Sequence, residues 1–146
     1  MQWNKFSQLL FSFLMSFMTS KKQFLVYEKK IYRNNSTYIS NKEKARFLVK
    51  QKLQYYNKFY NFTYKRVAIR DQKSRWGSCS SLGNLNFNFR VIFLPEHLQN
   101  YLIVHELCHL KEMNHKKSFW KLVAQTIPEY KSSRKELRTI RFGVKY

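Results

Sequence analysis

The order of apolar and polar positions divides the chain into unlike segments. Residues 1–20 hold an apolar run from Leu9 to Met18, with Lys5 before it and Lys21-Lys22 after it. The run is too short to span a bilayer as a helix. No small-x-small cleavage site follows it. The pattern predicts an apolar N-terminal extension over residues 1–22, with an export signal or membrane-surface anchor as the alternative. Between 23 and 39, Phe24–Tyr27 and Lys30–Tyr32 read as short strands, and Asn34-Asn35-Ser36 has turn chemistry. From Asn41 to Tyr60 no Gly or Pro interrupts, Asn41 can cap, and Glu43 sits in the first turn, so a helix is expected. Phe47, Leu48, Val49, Leu53, Tyr55, Tyr56 and Phe59 supply its apolar side. Lys42, Lys44, Arg46, Lys50, Lys52 and Lys58 make much of the remainder basic, as a solvated face or a polyanion-binding one.

Arg66–Arg70 is strand-like, and Asp71-Gln72-Lys73 reads as a turn. Gly77, within Ser74–Ser80, marks a bulge or a close backbone approach. After a turn at Ser81-Leu82-Gly83, Asn84 to Arg90 alternates polar and apolar, predicting a half-buried strand that runs on through Val91–Leu94. This strand is a candidate edge for pairing with an extended peptide, or an ordinary member of a sheet. Pro95 and Glu96 then suit the start of a helix. That helix is apolar nearly all round from Tyr101 to Leu110, as a buried helix is. Asn114 is placed to end it in a left-handed conformation. A further helix is expected from Lys116 or Lys117, with Trp120 in the core, and Pro128 either breaks it or starts another. A last one is expected over Ser133–Ile140.

The buried helix carries the chemistry. His105-Glu106-Leu107-Cys108-His109 fits H-E-x-x-H, and His115 follows, so three of the chain's 4 histidines fall together. Histidines four apart on a helix share a face, so both imidazoles reach one metal ion. His115 would complete three protein ligands and leave a fourth position open, as a catalytic zinc requires. Glu112 lies on the face of His105 and is the rival third ligand; otherwise it stands beside the ligands. Glu106 lies about 100° around the helix from His105, off the metal and free to act as general base. Unpaired charges would be costly in so apolar a helix, which makes a metal the natural explanation for His105, Glu106 and His109. Cys108 falls off the ligand face as a small buried hydrophobe, and His97 reads as a surface residue.

Composition adds two things. The cysteines, Cys79 and Cys108, make no disulfide framework, which favours a reducing, cytoplasmic setting. Membrane association or export through residues 1–20 stays open, although no stable membrane span is expected. The balance of 28 Lys+Arg against 8 Asp+Glu gives +20, which favours a polyanion such as nucleic acid. A biased genome, rich in Lys, Asn, Tyr, Phe and Ile, is the bland source of part of that excess.

Several separated motifs carry a resemblance. They are Arg75-Trp76-Gly77-Ser78-Cys79-Ser80, Asn88-Phe89-Arg90, Leu94-Pro95, His105 to Leu110, Glu112-Met113-Asn114-His115, Phe119-Trp120 and Pro128-Glu129-Tyr130-Lys131. In order and spacing the stretch 67–140 resembles the YgjP-like metallopeptidase family, related to SprT-like proteases within the zincin group. The resemblance implies an α+β, zincin-like domain over 23–146, with a small mixed or antiparallel sheet on the H-E-x-x-H helix and further helices on both sides. It implies His105, His109 and His115 as ligands of one Zn2+, Glu106 as the catalytic residue, and a protein or peptide as substrate. Arg75, Trp76, Asn88, Arg90 and Glu112 are candidates for contacts beside the metal or with substrate; for Arg75 and Trp76, packing is the alternative. The N-terminal part departs from the family in being short. A nucleic-acid-binding protein with a mainly structural zinc, or a SprT-like protease acting at DNA, is the alternative function.

Overall fold

The computed structural model describes residues 35–140. Helix α1 (Asn35–Tyr60) is followed by strands β1 (Arg66–Arg70), β2 (Gly77–Cys79) and β3 (Asn84–Asn88), and by a 3-10 turn at Phe89–Phe93. Three helices complete the described chain: α2 (Glu96–Cys108), α3 (Lys117–Ala124) and α4 (Tyr130–Thr139). The architecture is α+β, as expected, with a small mixed sheet.

Helix α1 begins earlier than its sequence suggests. Residues 35–39, expected as turn and strand, are helical. Asn41 is no cap: it lies inside the helix, its side-chain amide donating to the Thr37 carbonyl at 2.9 Å. The strands expected within 23–34 and the extension over 1–22 lie outside the described residues. The buried stripe is Ala45, Val49, Leu53 and Tyr60. Phe47, Tyr55 and Phe59, expected on the apolar side, are exposed, because a step of about 100° per residue carries them off that stripe. The stripe packs on β1, the 3-10 turn and α2. Lys52 ties α1 to α2 by donating to Asn100 Oδ1 at 2.6 Å, and Tyr60 Oη ties it to the Leu122 carbonyl at 2.9 Å.

The sheet order is β1-β3-β2, with β3 parallel to β1 and antiparallel to β2. Gly83, at φ 74°, closes the β2–β3 turn, and its N–H donates to the Ser80 carbonyl at 2.9 Å. An L-residue rarely adopts that φ. β3 is therefore central, paired on both sides, and is not the edge strand expected as a candidate; among the described residues the edges are β1 and β2. Leu85 and Phe87 turn one face of β3 into the core. The strand stops at Asn88, whose side chain caps the 3-10 turn by accepting from the Arg90 N–H at 3.2 Å. Phe89, Val91 and Leu94 are all buried from that turn, which the predicted extension of the strand through Val91–Leu94 would not achieve.

Helix α2 crosses the middle of the domain, with Leu98, Leu102, Ile103, Val104, Leu107 and Cys108 buried. Pro95 stands at its N-cap, one position before the first turn, and its carbonyl accepts from Leu98 and Gln99. Among the described residues no helix is long and apolar enough to cross a membrane.

Candidate metal centre

Helix α2 delivers two histidines and then stops. It ends at Cys108, with His109 at the C-cap, well before Asn114. Asn114 is not left-handed: Asn61 is the non-glycine residue with positive φ among those described. The turn from His109 folds back instead, so that the Glu112 carbonyl lies 3.0 Å from His109 Nδ1. The loop then closes with the Lys116 N–H on the Asn114 carbonyl at 2.8 Å. This early reversal brings His115 to the metal-facing side of α2.

The three imidazoles meet through their Nε2 atoms. His109 Nε2 lies 3.2 Å and His115 Nε2 3.0 Å from His105 Nε2. One ligand atom from each residue falls within 4.8 Å of the others. Tetrahedral zinc at 2.0–2.1 Å from each nitrogen needs them about 3.3 Å apart, so the trio fits such an ion. The opposite ring nitrogens are held: His109 Nδ1 donates to the Glu112 carbonyl, which leaves Nε2 with its lone pair. Tyr101 Oη lies 3.4 Å from His105 Nδ1. Beneath the trio lies Phe119, fully buried, its ring centroid 4.5 Å from that of His109, 4.8 Å from His115 and 4.9 Å from His105. Trp120, expected in the core, is instead a wall of the site. It stacks on His115 at 5.5 Å and donates from Nε1 to the His115 carbonyl at 3.1 Å.

The electrostatics suit a cation. Burial first, then His109, His115 and Arg134, push His105 down to about 3. Burial also lowers His109 and His115. Neutral imidazoles are the form that ligates. Burial drives Glu106 the other way, up to about 8, with the Arg75 charge opposing it. Burial and then the Glu106 charge raise the Cys79 thiol to about 11, so it is inert as a nucleophile at neutral pH.

These shifts fix the stability profile of the metal-free protein. The histidine contributions are full above the unfolded value of 6.5 and are lost as pH falls toward the folded values. Glu106, raised from 4.5, contributes below 4.5 and loses that contribution as pH climbs to about 8. Three histidines outweigh one carboxyl on the acid side. Thermal midpoints measured in chelator should therefore peak near pH 6.5 and fall toward pH 8. In Glu106→Gln the fall above pH 6.5 should disappear; its persistence would sink this account.

Of the other candidates, Glu112 does not join the metal group; its carboxylate accepts from Ser118 Oγ at 3.2 Å. Asn88 is fully buried and holds the 72–76 loop, donating from Nδ2 to the Gln72 carbonyl at 2.6 Å and the Arg75 carbonyl at 3.1 Å. Arg90 pairs with Asp71, the residue just before that loop. Arg75 is exposed and Trp76 half-buried, the latter accepting the Asn88 N–H on its carbonyl at 2.8 Å. His97 lies on the surface and meets Glu136 at 2.9 Å. Sequence reasoning missed Tyr101 and Phe119 as parts of the site. Tyr101 had a signal, standing four residues before His105 on one helix face. Phe119 had none, because an irregular loop separates it from the motif.

Residues 18–140 match the family described as YgjP-like, metallopeptidase domain. The chain belongs to the YgjP-like metallopeptidase family. The crystal structure of the metallopeptidase zymogen abylysin of Pyrococcus abyssi is similar to this YgjP-like domain. It is 27% identical with a TM-score of 0.57, over 62% of this chain and 92% of that one. The metallopeptidase zymogen jannalysin of Methanocaldococcus jannaschii shares the fold, at 24% identity and a TM-score of 0.52, over 62% of this chain and 92% of that one. Among curated proteins no significant match is found.

Proposed function

We propose that this YgjP-like protein is a zinc-dependent peptidase, with His105, His109 and His115 holding one Zn2+ and Glu106 as general base. The observation that carries the reading is the convergence of three neutral Nε2 atoms within 4.8 Å, beside a buried carboxyl on the same helix. Zinc held there would supply Lewis-acid polarisation of the scissile carbonyl and activation of water. The charge of zinc beside it would favour the ionised carboxylate, and in that form Glu106 accepts the attacking water's proton and returns it to the leaving amine. Tyr101 and the Glu112 carbonyl orient His105 and His109, and Phe119 keeps water from beneath the rings. Strand β2 offers an extended peptide a row of backbone groups next to Glu106. A nucleic-acid partner has only the formal charge of +20 behind it, so the proposed substrate is protein or peptide.

Metal removal tests the proposal. Purified protein should carry one zinc per chain and cleave an unstructured polypeptide. A chelator should abolish cleavage, and stoichiometric zinc should restore it. Cleavage that survives complete loss of metal would overturn the reading.

A further inference from the structure

Strand β2 meets α2 at Gly77. A Cβ built there would lie 2.6 Å from Glu106 Oε1, 2.7 Å from its Cγ and 2.8 Å from its Cδ. Real Cβ atoms do not approach other atoms so closely, so one partner would have to move. Glu106 has little room: its side chain is buried on a helix whose neighbouring residues are buried as well. The strand is held too. Gly77 is paired with Phe87 in the sheet, and Asn88 takes the carbonyls of Gln72, Arg75 and Trp76 just before it. Backbone conformation does not demand a glycine here, because Gly77 is not among the described residues with positive φ. What the position demands is the absence of a side chain.

We propose that Gly77 is a positioning residue for Glu106: the bare backbone of β2 is the seat that fixes the carboxyl, and Asn88 holds that seat by pinning the 72–76 loop. The inference rests on the reading of Glu106 as proton acceptor. A larger residue at 77 tilts or displaces the carboxylate without touching the three histidines. Proton transfer tolerates such displacement poorly, since a misplacement of about 1 Å can cost on the order of 100-fold in rate.

The test compares Gly77→Ala, Glu106→Ala and the double variant in the full chain. Gly77→Ala should keep one zinc, lower kcat by about 100-fold and leave KM within about twofold. With metal removed, its thermal midpoint should fall by roughly 4–12 °C. In the Glu106→Ala background, where the clashing atoms are gone, the same substitution should move the midpoint by no more than about 2 °C. An equal fall in both backgrounds overturns the proposal, as does an unchanged kcat in Gly77→Ala. If Gly77→Ala does not fold, the double variant must fold as well as Glu106→Ala does; a double variant that also fails overturns it. The peptidase reading stands or falls separately, on zinc content and cleavage by the parent. The two midpoint comparisons decide the Gly77 seat whatever the parent cleaves.

Discussion

Glu106→Gln should lower kcat by about 10³–10⁴-fold, the upper part of the range for a general base, while zinc content matches the parent. The amide keeps the shape of the carboxyl and cannot take a proton. Its neutrality should not disturb the fold, because burial already holds the Glu106 carboxyl protonated up to about 8 in the metal-free protein. Zinc should remain because Glu106 faces the Gly77 backbone, whereas the three histidines meet one another through Nε2. Single-turnover rates and metal analysis on one preparation separate the two effects. Residual activity within tenfold of the parent would remove Glu106 from the proposed role, and lost zinc would make it part of the ligand set.

The second large effect concerns the third ligand. His115→Ala should weaken zinc binding by more than 100-fold, beyond the roughly 10–100-fold typical when only an outer contact is lost. His115 is exposed and comes from the loop after α2, so its removal should leave the core unchanged and the loss should report ligation. Glu112→Ala should cost about tenfold or less. Its carboxylate meets Ser118, and the carbonyl that orients His109 is backbone and survives the substitution. Competition titrations against a chromophoric chelator measure both constants. A larger loss in Glu112→Ala than in His115→Ala would hand the third position to the carboxylate.

The strands and the H-E-x-x-H helix could be read from the chain because each carries a local pattern, whereas their assembly into a mixed sheet on that helix was implied by the family resemblance. His105 and His109 stand at helical spacing, Leu85 and Phe87 at strand spacing, and Pro95 precedes a nearly all-apolar helix. What failed depended on partners distant in the chain. Asn34-Asn35-Ser36 has turn chemistry, yet Tyr38, three residues into the helix, donates to the Ile69 carbonyl at 3.1 Å and meets Phe89 edge-on at 5.4 Å. These contacts favour helix where local propensity does not. The neighbours of β3 were equally hidden, since alternation tells which face of a strand is buried and says nothing of what flanks it. His115 could be picked out by counting histidines, but not its route: α2 stops at Cys108 because the following turn puts the Glu112 carbonyl on His109 Nδ1.

The ligand trio and the carboxyl seat differ in how far they reach along the chain. The histidines all lie within 105–115, so bringing them together closes one short loop, at small entropic cost. The seat of Glu106 requires β2 in register with β3, and the loop before it pinned from Asn88. On the proposed reading, the ligands themselves come from one short segment, although Tyr101 and Phe119 support them from outside it, whereas the carboxyl seat needs strands distant in the chain to be in register. On that reading, displacement of β2 would cost the carboxyl its seat while leaving the ligand trio together.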